Sequence, residues 1–242
     1  MQLNLFVIFA QILSMLEARK LPVVYVYTVI PSVCQRGLPS YIAVSLEQAV
    51  LSQPDADIIL ASNLNECEHI RGAIAKIRGL KSIDASVLAS NRTRAFAAVA
   101  SNMFQSGHDG LWITSALRFF MMEDVMIAHG YEEIFHVEAD NMLYGNITQI
   151  LPILRTGYPA LAATPLTAEK VLTTASVFWI ANLQSLITFN DYLLRLGASN
   201  MTGDWGNYLR WLRPYACCKH GGVDQVNNCP RVNISYQAGR QF

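Results

Sequence analysis

An excess of charge of either sign is missing from this 242-residue sequence: 18 Lys and Arg balance 18 Asp and Glu, and charged residues are only 15% of the chain. No global field therefore draws in nucleic acid or an anionic membrane surface, and any phosphate must be held locally. A glycine-rich loop does not follow the first apolar run, which disfavours dinucleotide or P-loop chemistry. Gly-x-Ser-x-Gly is absent too, which disfavours a serine hydrolase. The cysteines, Cys34, Cys67, Cys217, Cys218 and Cys229, lack the spacing of a zinc site, since Cys217 and Cys218 are adjacent and no second paired half exists. Their odd number allows at most two disulfides in a monomer. Internal repeats and low-complexity segments are also missing.

An apolar run long enough for a secure membrane span is absent as well. Residues 3–16 are apolar except for Asn4, Gln11 and Ser14, and Glu17-Ala-Arg-Lys20 follows. This reads as a signal peptide over 1–20, although no basic residue precedes it and Leu16 poorly fits a cut after Ala18. A short membrane anchor and a plain buried helix are the other readings. A signal or an anchor puts residues 21–242 in the secretory pathway (ER or Golgi lumen, or secreted), or across the inner membrane of a bacterium. Sequons at Asn91-Arg-Thr, Asn146-Ile-Thr, Asn200-Met-Thr and Asn233-Ile-Ser exceed chance and favour a secreted eukaryotic glycoprotein.

What is present is a 52% hydrophobic chain, enough for one well-filled domain. Residues 21–28 and 57–62 are continuous apolar runs that predict buried strands, and a third strand is expected around 82–88. Helical spacing appears over 41–51, near 66–77 and over 93–103, and Ser106 to Gly110 reads as a turn. Ile113, Leu117, Phe120, Met121, Val125 and Ala128 form one stripe of a helix whose other side, with Phe119, Met122 and Met126, is apolar too. Gly130 ends it. Strands follow over 134–140, 160–165 and 173–182, with helical segments at 151–155 and 183–196. Apolar strands alternating with helices indicate an α/β sandwich whose parallel sheet is covered on both faces. Beyond about residue 200 the sequence becomes a loop-rich tail without a closing element, as in a short or truncated family member.

The stretch from Glu132 to Gly145 carries the chemistry. Extended, it points Ile134, His136, Glu138 and Asp140 one way and Phe135 and Val137 the other, so two carboxylates reach one edge together. Such a pair suits a divalent cation that keeps positions open for water and phosphate.

The strand at 23–28, the Arg118-Phe119 helix, the Glu-Ala-Asp strand and the strand at 176–182 occur in an order that resembles a GT-A fold glycosyltransferase. Ile-Phe-His-Val-Glu-Ala-Asp-Asn-Met-Leu-Tyr is similar to the Asp-x-Asp strand of the galactosyltransferase and glycogenin-like retaining enzymes. It is closer to glycosyltransferase-like proteins with a His-x-Glu-x-Asp-x-x-Leu-Tyr run. The resemblance covers residues 21–196 and implies a Rossmann-like three-layer fold with a mostly parallel sheet. It also implies Mn2+ or Mg2+ on Glu138 and Asp140, a nucleoside-diphosphate sugar donor (a UDP-sugar first), and a glycan, protein or lipid acceptor. Glu138 departs from the usual Asp by one methylene, leaving Asp140 the stronger ligand. Tyr27 and Thr28 are placed near base and ribose, Ser62 and Asn63 near the nucleotide, and Arg118 near the donor sugar or its phosphates. Asn141 is a sugar contact or a turn residue.

Asp204, in Thr-Gly-Asp-Trp-Gly, is a candidate acceptor-side acid or a turn residue. Asp224-Gln225 resembles the late Asp-Gln of the retaining enzymes, and His220 is a candidate third metal ligand without the usual Gly and Lys-Pro-Trp context. Arg118 is equally read as the ion-pair partner of Glu123 or Asp124, because a buried Arg must be paired. His136 reads as a satisfied core histidine. A catalytically silent binding relative is the alternative function.

Overall fold

The computed structural model describes residues 20–28, 34, 37–63, 67–103, 111–165 and 173–198. Its elements, in chain order, are β1 Leu21–Tyr27, α1 Ser40–Ser52, β2 Ala56–Ser62, α2 Glu68–Ile74, β3 Lys81–Asp84, α3 Ala85–Leu88, α4 Asn91–Met103, α5 Leu111–His129, β4 Ile134–Glu138, α6 Leu151–Gly157, β5 Leu161–Pro165, β6 Thr173–Ile180 and α7 Leu183–Ala198. A 3-10 turn, Ile147–Gln149, precedes α6. The leader, the 106–110 turn and the tail lie outside the described residues.

The sheet order is β3-β2-β1-β4-β6-β5. β1 pairs in parallel with β2 and β4, and β2 with β3. β6 is antiparallel to both β4 and β5. The seven residues between β5 and β6 are too few for the crossover a parallel pair requires, so this connection reverses the chain. β1 lies at the sheet centre, which is why its apolar residues are continuous.

Alternation along the strands divides the core into two layers. Val24, Ile59, Ala61, Ile134, Phe178 and Ile180 meet α3, α4, α5 and α7 on one face. Val23, Tyr25, Ile58, Leu60, Phe135, Val137 and Trp179 meet α1, α2 and α6 on the other. Phe119 packs edge-on against Phe178 and Phe189 at 5.1 and 4.9 Å between centroids, tying α5 to the sheet and α7.

Three expectations need correction. The strand predicted over 134–140 ends at Glu138, and Asp140 sits in the turn closed by the Asn141 N–H on the Glu138 carbonyl, so strand alternation does not aim the two carboxylates together. The strand predicted over 82–88 stops at Asp84, because its carboxylate accepts from the backbone N–H of Ser86 and starts α3. Ala128 belongs to the exposed last turn of α5 rather than to its buried stripe. That helix ends as expected: Gly130 takes φ 62°, and the Tyr131 N–H donates to the Met126 carbonyl at 3.0 Å, the six-to-one bond of a left-handed C-terminal cap. Cys34 and Cys67 form a disulfide between the segment after β1 and the start of α2, with Cα atoms 5.3 Å apart. Cys217, Cys218 and Cys229 lie outside the described residues.

Candidate functional site

Because β1 to β4 run in one direction, their carboxyl ends share one edge, where open α/β sheets bind ligands. Register brings Tyr27 opposite Ser62, Ser62 opposite Asp84, and Val26 opposite Glu138. After β4, the Asn141 N–H donates to the Glu138 carbonyl at 3.0 Å and closes a turn containing Ala139 and Asp140. Asp140 is exposed, and no hydrogen bond or ion pair engages its carboxylate among the described residues.

Glu138 is engaged differently. Arg118 Nη1 on α5 lies 2.5 Å from Glu138 Oε1, and both side chains are largely covered. The alternative pairing of Arg118 with Glu123 or Asp124 does not occur. At about 100° per residue, those positions lie about 140° and 240° around the helix from Arg118, whereas helical pairs need spacings of three or four. Glu123 instead accepts from Arg92 Nε and from Asn190 Nδ2, each at 2.7 Å. Asp124 accepts from the Ser90 backbone N–H at 3.1 Å and from the Thr93 hydroxyl at 2.5 Å, fastening the start of α4.

His136 lies beneath this edge, fully buried. Its Nδ1 donates to the Val24 carbonyl at 2.8 Å, which makes Nε2 an acceptor, and Nε2 has no partner among the described residues. Burial, with Arg118 nearby, lowers its pKa to about 3, so the ring is neutral. It is a core residue with one unsatisfied lone pair.

The other expected site residues fall as follows. Tyr27 is half-buried at the end of β1, and the Thr28 hydroxyl lies 3.8 Å from Met121 Sδ. Ser62 is buried with its hydroxyl unpartnered among the described residues, and Asn63 follows it at the end of β2. Asn141 donates its side-chain amide to the Ser176 carbonyl at 3.3 Å, and its own carbonyl accepts from the Ser45 hydroxyl at 2.5 Å. Asp204, Asp224 and His220 lie outside the described residues.

Two features escaped the sequence reading. Asp84 reaches the same edge, with Oδ1 accepting from Ser86 and Oδ2 buried without a partner among the described residues. Asp-x-Ser at a strand end was the available signal. The second is a clasp from α1 onto the segment after Asp140. Gln48 exchanges two bonds with the Leu143 backbone at 2.7 and 2.8 Å, and Ser52 adds a third to the Leu143 carbonyl. Gln53 donates to the Gly145 carbonyl at 2.7 Å and accepts from the Ile147 N–H at 2.8 Å. These polar side chains carry no sequence signal beyond helical position.

No group of three or more His, Cys, Asp or Glu suited to holding a metal occurs among the described residues. A divalent cation that retains water and phosphate oxygens needs only one or two carboxylates. Asp140 is open, and the second oxygen of Glu138 makes no bond among the described residues, so the oxygen donors fit Mg2+ or Mn2+.

A solved glycosyltransferase structure shares this architecture. The PaToxG glycosyltransferase aligns with a TM-score of 0.51 and 8% identity, over 81% of this chain and 69% of that one. The chain has the GT-A fold. Mouse xyloside xylosyltransferase 1, in its apo form, aligns at 0.49 with 12% identity, over 81% of this chain and 77% of that one. GlyE of Streptococcus pneumoniae TIGR4 aligns at 0.48 with 16% identity, over 81% and 43%. No protein-family model and no curated protein matches the sequence. At such identities the likeness concerns architecture, and the chemistry has to be argued from the residues.

Proposed function

We propose that the protein is a metal-dependent glycosyltransferase that moves a sugar from a nucleoside-diphosphate sugar, a UDP-sugar first, to a glycan, protein or lipid acceptor. The observation that carries this reading is the exposed carboxylate of Asp140 two residues beyond an Arg-held Glu138, at the carboxyl edge of a GT-A sheet. Asp140 and the second oxygen of Glu138 would hold Mn2+ or Mg2+. The bound cation would stabilise the charge that develops on the departing nucleoside diphosphate.

Arg118 fixes Glu138 and brings a positive charge to the edge that receives the phosphates. Tyr27, Thr28, Ser62 and Asn63, at the ends of β1 and β2, are assigned to base and ribose. Asn141 holds the turn and has its amide on β6, so its role is to orient Asp140. Asp204, Asp224 and His220 keep their proposed roles on the acceptor and metal sides.

Calorimetry with Mn2+ and a panel of nucleoside diphosphates tests the reading. Heat is expected from the native chain and its loss from Asp140→Ala, whose stability should change by less than about 0.5 kcal/mol because the side chain is exposed. Silence toward every nucleotide refutes the donor class. Transfer or hydrolysis that survives Asp140→Ala refutes the metal assignment. A catalytically silent binding protein is the second reading, favoured by the guanidinium already on one oxygen of Glu138. Nucleotide binding without hydrolysis or transfer across broad acceptor panels would select it.

A further inference from the structure

We propose that Asn146 is a modification site that carries an N-linked glycan, set on a face of the molecule away from the carboxyl edge. Two independent observations support this. The Cys34–Cys67 disulfide fits an oxidising compartment such as the endoplasmic reticulum lumen, where glycan transfer also takes place. The second is the shape of the acceptor tripeptide Asn146-Ile147-Thr148. The Asn146 side-chain oxygen accepts from the Thr148 N–H at 3.0 Å and from the Thr148 hydroxyl at 2.7 Å. The carboxamide and the hydroxyl that define the acceptor therefore lie together, and Asn146 Nδ2 has no bond among the described residues.

Access agrees with that geometry. Asn146 is half-buried, and Tyr144, Gly145 and Gln149 around it are exposed. The sequon at Asn91 differs. Its threonine, Thr93, is buried on Asp124, and the Asn91 side-chain oxygen accepts from Arg94 at 3.0 Å. Folding closes that acceptor, whereas around Asn146 it buries only the middle residue, Ile147, and leaves the Asn146 and Thr148 side chains partly exposed.

The position is compatible with the edge site. The segment from Asn141 to Ile147 runs down α1, bonded first to Ser45 and last to Gln53. Eight helical residues separate these anchors by about 12 Å. A glycan on Asn146 thus projects near the far end of α1 and leaves the turn at Asp140 open.

In the transfer, Asn146 Nδ2 attacks the anomeric carbon of a lipid-linked oligosaccharide diphosphate. An N–C bond forms, and the anomeric C–O bond breaks with its electron pair going to the lipid diphosphate. One Nδ2 proton passes to a base of the transferring enzyme.

The full chain, expressed in secreting eukaryotic cells, is treated with peptide N-glycosidase in 18O-water and mapped by mass spectrometry. The Asn146 peptide is expected to convert to isotopically labelled Asp. Thr148→Ala should lose one glycan-sized gel shift, and Thr148→Ser should keep it. Thr148→Ala retains the backbone N–H bond to Asn146 Oδ1 and so separates loss of the glycan from loss of the turn. An unlabelled Asn146 peptide in the folded protein overturns the proposal, as does a chain that stays unglycosylated with Cys34 and Cys67 reduced.

Discussion

His136 should make the fold acid-sensitive by an amount that follows from its position. Its folded pKa is lowered from 6.5 to about 3, first by burial and then by the positive Arg118, while the Val24 bond acts in the opposite direction. In the unfolded chain the ring titrates at its ordinary value, so between those two pKa values the unfolded state binds the extra proton. Stability from this group is fully present above pH 6.5 and declines as pH falls toward 3. At pH 5 the loss relative to pH 8 is about 2 kcal/mol, and it approaches about 5 kcal/mol below pH 3. His136→Gln keeps an N–H donor for the Val24 carbonyl and removes the titration. Urea unfolding followed by circular dichroism, at pH steps from 8 to 5, should show the native chain losing about 2 kcal/mol more than the variant over that range. Other titrating groups are common to both chains, so the difference in slope isolates the imidazole. Equal slopes would refute a neutral buried His136, whatever the variant's absolute stability.

Other measurements address the remaining elements. The Cys34–Cys67 bond spans 33 residues, and its removal by Cys34→Ser with Cys67→Ser should cost about 4 kcal/mol, read as a lower denaturant midpoint that reductant does not shift further. Arg118→Ala leaves the covered Glu138 carboxylate unpaired and should cost about 2 kcal/mol; Arg118→Lys should recover only part of it, and a change within error would show that the pair is idle. Gln53→Ala strands the Gly145 carbonyl and the buried Ile147 N–H, so thermal unfolding should report a loss of about 3 kcal/mol, with faster exchange at the Ile147 amide. A protected Ile147 amide in that variant would mean that the clasp is redundant.

The buried polar groups of α5 share one physical theme. The helix is apolar nearly all round, yet Arg118, Glu123 and Asp124 sit among its packed residues, each satisfied by a different neighbour. Arg118 reaches the sheet edge, Glu123 joins α4 and α7 through Arg92 and Asn190, and Asp124 anchors the start of α4. Removing one partner of such a pair exposes the other to a low-dielectric interior, so these contacts specify how the helices dock more than they add to stability.

By itself the sequence determined the α/β class, the elements that make the sheet and the Glu-Ala-Asp edge. Each follows from local chemistry: continuous apolar runs make central strands, a largely apolar helix must be covered, and alternation along β4 sets Glu138 on the face of Ile134 and His136, whereas Asp140 lies in the turn beyond the strand. Tertiary structure alone decided how those carboxylates differ. Helical phase keeps Arg118 from Glu123 and Asp124, and only the packing of α5 against the sheet shows that its partner is Glu138, which leaves Asp140 open. The short β5–β6 link permitted an antiparallel pair, but the insertion of β6 between β4 and β5 is a long-range pairing with no local signature. The same holds for the α1 clasp and for the Cys34–Cys67 bond, since polar side chains and thiols record what they can bind without recording which distant backbone will arrive.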